Sequence, residues 1–144
     1  MQLWDTSGCE KYRSITTSHY RKAVGALLVY DITSESSFKS LPYWLDNLRE
    51  HGDENMIVAL IANKCDIIFT DPSKRQVLKD SGHRYARENN LLFMDEMSAL
   101  ADINVGEQID QLIESINRIQ TDLINSGKKK ESALKITYEE EERK

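Results

Sequence analysis

Three short, uninterrupted apolar runs leave this 144-residue chain few folds to adopt. Ala26-Leu27-Leu28-Val29-Tyr30 ends at Asp31, Ile57-Val58-Ala59-Leu60-Ile61-Ala62 ends at Asn63, and Leu91-Leu92-Phe93-Met94 is the third. A strand that is apolar on both faces has to be covered on both faces, which is the situation inside a parallel sheet flanked by helices. Helical periodicity fills the intervals. Phe38, Leu41, Trp44, Leu45 and Leu48 predict a helix over 36–51, in which Pro42 fits only within the first turns. A second helix is predicted over 78–89, weakened by Gly82. A third, over 105–125, carries the stripe Val105, Ile109, Leu112, Ile113, Ile116, Ile119 and Leu123. Met1–Trp4 reads as one more short strand, and 67–74 as a loop with an Asp-Pro turn. Alternating strands and helices predict right-handed crossovers and an α/β, doubly wound, mostly parallel sheet. Ligands of such sheets bind at the carboxyl ends of the strands.

Composition narrows the class of function. Hydrophobic residues make up 40% and charged residues 30%, the balance of one globular domain with its own core. A net charge of −5 argues against nucleic acid as the main partner, because phosphate binding needs a basic face. Cys9 and Cys65 have no zinc or disulfide spacing, which fits a reduced cytoplasmic compartment. No apolar run is long enough to span a bilayer, and no signal peptide precedes the first strand. His19, His51 and His83 are scattered without ligand spacing. Two segments are expected: a domain over 1–125 and a charged tail over 126–144 that is disordered or a frayed helix.

Three motifs fall at strand ends. In Asp5-Thr6-Ser7-Gly8, an acidic residue, a hydroxyl and a close-approaching glycine N–H suit Mg²⁺ and a terminal phosphate, although such a tetrapeptide is more often only a turn. An aspartic-protease reading of these four residues needs a second aspartate loop and antiparallel strands, and the chain offers neither. Asn63-Lys64-Cys65-Asp66 suits base recognition. A carboxylate accepts two parallel hydrogen bonds from guanine's N1–H and N2–H₂, and a lysine stem can lie on the base face. The plain alternative is a polar turn after a strand. Ser98-Ala99-Leu100 is weak alone, but a backbone N–H there can meet a base carbonyl, and Ser98 can brace Asp66. The common placement of all three outweighs any one.

In this order the motifs strongly resemble those of Rab-family small GTPases, over about residues 1–125. Trp4-Asp5-Thr6-Ser7-Gly8-Cys9-Glu10 is similar to the family's WDTAGQE, Tyr20-Arg21-Lys22-Ala23 to YRGA, and Asn63 to Asp66 to NKxD. The stretch from Ala23 to Asp31, with Trp44-Leu45 and Leu48-Arg49, resembles the recycling-endosome and trans-Golgi branch. The resemblance implies GTP or GDP and Mg²⁺ as ligands. Asp5 would hold Mg²⁺ through water, with Thr6 beside it, and Gly8 would meet the γ-phosphate. Lys64 would stack on guanine, Asp66 would read it, Asn63 would tie the loop to its neighbours, and the loop of Ser98, Ala99 and Leu100 would contact O6 through Ala99. It also implies Rab-type effectors and regulators as partners, and a switch in vesicle trafficking at endosomal or Golgi membranes.

The departures carry expectations too. No G-x-x-x-x-G-K-[ST] occurs in the 144 residues, nor does the family's first switch, so the expectation is a partial domain without its first strand, first helix and second strand. In the family that first strand lies between Met1–Trp4 and Ala26–Asp31. Cys9 stands where the water-orienting glutamine is expected, which predicts impaired or absent hydrolysis. His19 replaces a tyrosine of the effector surface, and no cysteine follows Cys65, so no prenyl anchor is expected. Asp95-Glu96-Met97 is one residue longer than the family's pattern, which predicts a displaced Ala99. The alternatives to a working switch are a pseudo-GTPase interaction module and a truncated product without nucleotide binding.

Overall fold

The structure, a computed structural model, describes residues 5–6, 20–21 and 23–126. The expected strand Met1–Trp4, the loop residues Gly8 and Cys9, and the tail from Gly127 lie outside the described residues. Among the described residues the chain forms β1 (Gly25–Asp31), α1 (Glu35–Lys39), α2 (Leu41–His51), β2 (Ile57–Asn63) and α3 (Cys65–Thr70). A 3₁₀ turn (Pro72–Lys74), α4 (Lys79–Glu88), β3 (Leu92–Glu96) and α5 (Val105–Ser126) follow.

The three strands form a parallel sheet in the order β1-β2-β3. Six of the seven residues of β2 are buried, as its unbroken apolar run requires. Each face carries its own core. Leu28, Tyr30, Val58 and Leu60 pack with Leu41, Leu45 and Leu48 of α2 and Ala86 of α4. On the opposite face Ile57, Ala59, Ile61, Leu92 and Met94 pack with Leu112 and Ile119 of α5. Among the described residues one helix alone covers that second face, and Val29 on β1 is left 51% exposed.

Two expectations change. The predicted single helix over 36–51 is two helices divided at Ser40, with Pro42 in the first turn of α2, where its missing N–H has no intrahelical partner to lose. Residues 67–74 are not an irregular loop. Cys65–Thr70 forms one helical segment, and Asp71 then caps the 3₁₀ turn by accepting from Ser73 N at 3.1 Å. A helix of six residues is too short for periodicity to announce.

Gly82 has a packing reason. Its α-hydrogen points at the Tyr30 hydroxyl and at Phe93, and an added Cβ would overlap both, coming 2.8 Å from Phe93 Cε2. Replacing a mid-helix glycine by alanine ordinarily stabilises by about 0.5–1 kcal/mol. Here overpacking, typically about 1–3 kcal/mol, opposes that gain and exceeds it. We expect Gly82→Ala to lower the urea midpoint by a net loss of about 1 kcal/mol or more, with Ser81→Ala nearly neutral. A Gly82→Ala protein as stable as the parent would refute this packing.

Candidate functional site

The parallel register places Asp31 beside Asn63, so β1 and β2 end side by side. At the end of β1, Asp31 Oδ1 accepts from Thr33 N (2.8 Å) and Thr33 Oγ1 (2.6 Å), closing a tight turn. Ser37 bonds the same residue's backbone: Asp31 N donates to Ser37 Oγ at 3.0 Å. At the end of β2, Lys64 adopts a left-handed conformation (φ 72°, ψ 34°) that swings the chain from strand into α3. Its ammonium reaches across to Asp31 Oδ2 at 2.7 Å. Burial raises the Asp31 pKa, but the hydrogen bonds from Lys64 and Thr33 outweigh it and hold the carboxyl below its ordinary value.

Asp66 sits in the first turn of α3, and its Oδ1 is buried with no hydrogen-bond partner. A buried carboxylate oxygen left unpaired is costly, and such an atom marks a place where a donor belongs. Cys65 is buried, and burial with the nearby charges of Asp66 and Glu96 raises its thiol pKa, so it is an inert packing residue.

The third loop meets this one directly. Met97 N donates to Ala62 O (2.9 Å), Cys65 N to Met97 O (3.1 Å), and Ala99 N to Asn63 Oδ1 (3.1 Å). The expected displacement of Ala99 does not keep the two loops apart. Ala59 pairs with Leu92 and Leu60 with Phe93, yet Ala62 pairs with Glu96, so three residues of β3 span what two span in β2. The extra residue is taken up as a bulge upstream, and the loop after it meets the end of β2. Ser98 is fully buried, and its Oγ accepts from Ala101 N at 3.0 Å rather than bracing Asp66. Leu100 is 90% exposed.

Glu96 anchors the loop from the other side. Arg75 grips it with two bonds of 2.7 and 2.8 Å, and Asn104 Nδ2 donates to its backbone carbonyl at 2.8 Å. Sequence reasoning assigned no role to Arg75, Glu96 or the Asp31–Lys64 pair. Residues 21 and 33 positions apart carry no local pattern, although the Asp-x-Thr spacing at 31–33 does signal the turn.

Asn63, Lys64, Asp66, Ser98 and Ala99 thus gather at the carboxyl ends of β2 and β3. Asp5 and Thr6 are exposed, and no hydrogen bond joins them to these loops among the described residues. Gly8 and Cys9 lie outside the described residues, and no described group of three or more His, Cys, Asp or Glu side chains is placed to hold a metal ion. The arrangement suits a planar ligand: a carboxylate with one oxygen unpartnered, whose two oxygens together can take paired N–H donors, a fixed lysine stem for a face, and a backbone N–H at the edge. That N–H is shared with Asn63. Two surface clefts of 240 and 360 Å³, lined by Val24 and Gln120 in one, Leu45 and Asn90 in the other, and Met56 in both, lie at the opposite, amino end of the sheet.

No described helix is long and apolar enough to cross a membrane. A family model described as the Ras family matches residues 1–118. The chain is 46% identical over 118 residues to the GTP-binding protein ypt3 of Schizosaccharomyces pombe, an alignment taking in 82% of this chain and 53% of that protein. The chain therefore spans about half the length of that relative.

Three expectations follow for stability. The Arg75–Glu96 pair is only 21% and 16% exposed. Glu96→Gln should therefore cost about 2 kcal/mol in urea unfolding, between the values of surface and fully buried pairs. Lys79→Met, which breaks a half-exposed pair with Asp95, should change stability by less than about 1 kcal/mol. Acid should act through Asp31. Because its folded pKa lies below the unfolded one, its contribution is complete above the ordinary carboxylate range and is lost as pH falls through the lowered value. Asp31→Asn should lower the neutral plateau of the stability–pH curve and flatten its acid limb, so that variant and parent converge at low pH. An unchanged acid limb would refute that contribution.

Proposed function

The chain belongs to the Ras family, and on that premise we propose that it binds a guanine nucleotide with the loops at the ends of β2 and β3. The observation that carries this reading is the buried, unpartnered Asp66 Oδ1 in the first turn of α3. Guanine supplies N1–H and N2–H₂ on one edge, at the spacing a carboxylate accepts. Adenine offers no such pair and would leave the carboxylate buried without a donor, so it is rejected. The Lys64 stem supplies a platform for the base face. Asn63 holds Ala99 at the base edge, where the Ala99 N–H serves O6 as a shared donor.

The wider role follows the same resemblance. By the family resemblance Asp5 would hold Mg²⁺ and Gly8 would meet the γ-phosphate, and the bound nucleotide sets a switch read by Rab-type effectors and regulators. The protein acts in vesicle-mediated membrane trafficking, peripheral to endosomal or Golgi membranes. With Cys9 in place of a water-orienting glutamine, hydrolysis is slow or absent, since a thiol cannot both donate to and accept from the attacking water as an amide does. Phosphate release from GTP well above the uncatalysed background would overturn this last point.

Base selectivity is the test of the site. In NMR titrations of the full chain, GDP should bind at least about tenfold more tightly than ADP. Asp66→Asn should lose that preference and favour xanthosine diphosphate, whose C2 carbonyl accepts where guanine donates. Equal binding of GDP and ADP, or binding of neither at millimolar concentration, would overturn the assignment.

A further inference from the structure

We propose that Asp31 is a positioning residue for base binding: by holding the Lys64 ammonium, it sets the lysine stem as a rigid platform before the base arrives. The inference rests on the guanine-site reading above.

Lys64 is the pivot between β2 and α3, and its left-handed backbone directs the chain sharply at that point. A free lysine in such a place samples many rotamers, and fixing one costs side-chain entropy. Here the head is already fixed. Lys64 Nζ lies 2.7 Å from Asp31 Oδ2, although the lysine side chain is 51% exposed. The carboxylate is itself immobile, because Oδ1 is taken by the N–H and hydroxyl of Thr33 and the Asp31 N–H by Ser37 Oγ. Parallel pairing of Asp31 with Asn63 brings the carboxylate within reach of the lysine. With both ends of the lysine restrained, its four methylenes span from the end of β2 to the end of β1. A ligand that stacks on them does not have to order them, which is affinity gained through preorganisation. Asp31 does not touch the base on this account. It acts through Lys64, so its removal weakens every stacked base alike and leaves base preference to Asp66.

Asp31→Asn is the informative variant. The amide keeps an oxygen acceptor for Thr33 and removes only the charge that faces Lys64, so the turn and the fold are retained. In GDP titrations of the full chain, Asp31→Asn should weaken binding about fivefold, with the ratio of GDP to ADP affinity unchanged. Lys64→Met should weaken GDP to a similar degree, and adding Asp31→Asn to it should have no further effect. In the nucleotide-free protein, amine acylation followed by peptide mass spectrometry should show Lys64 reacting several-fold faster in Asp31→Asn than in the parent, with Lys79 as internal reference. Undiminished GDP binding by Asp31→Asn, a loss that persists in the Lys64→Met background, or unchanged Lys64 reactivity would each overturn the proposal while leaving the base site standing. Failure of the parent protein to bind GDP at all would overturn the base site and this proposal with it.

Discussion

Seven consecutive parallel pairs, from Gly25 with Ile57 to Asp31 with Asn63, are the constraint on which the rest of the molecule depends. The ladder takes up one edge of β2, β3 takes up the other, and the helices cover the two faces as two separate cores. It also brings two polar strand ends to one edge of the sheet. A register slip of one residue would exchange the two faces of β1, sending Leu28 and Tyr30 to the face served by α5. Burial of those side chains therefore fixes the register, and the register in turn fixes the site.

The third strand shows how the fold absorbs an irregularity without losing the site. One extra residue between Phe93 and Glu96 would shift everything after it along the sheet. A bulge confines the shift to the strand interior. Beyond it, reciprocal bonds between Met97, Ala62 and Cys65 restore the pairing, and Arg75 and Asn104 hold Glu96 from the other side. The loop carrying Ser98 and Ala99 is thereby fastened to the loop carrying Asn63 and Asp66 before any ligand is present.

The polar groups of the site divide into those satisfied by the protein and those left for something else. Asp31, Asn63, Ser98 and Glu96 are all engaged internally. Asp66 Oδ1 is not, and it is buried. The protein's own bonds thus position the loops, and on the proposed reading the unpaired Asp66 oxygen belongs to the acceptor that a bound base would meet.

Much of this was legible in the residues. Unbroken apolar runs announce strands covered on both faces, helical spacing announces the helices that cover them, and Asn63-Lys64-Cys65-Asp66 announces chemistry at a strand end. The six-residue α3, the division of 36–51 at Ser40 and the bulge in β3 were not legible, because each is shorter than the period needed to detect it. Neither were the contacts of Arg75 with Glu96 and of Asp31 with Lys64, which join residues far apart in the chain. By itself the sequence determined which segments are apolar and with what period, and hence the class of fold and the end of the sheet at which its polar motifs gather. The tertiary structure alone decided which side chains meet there and which carboxylate oxygen remains unpaired. Those outcomes follow from strand register and packing, which no local stretch of residues encodes.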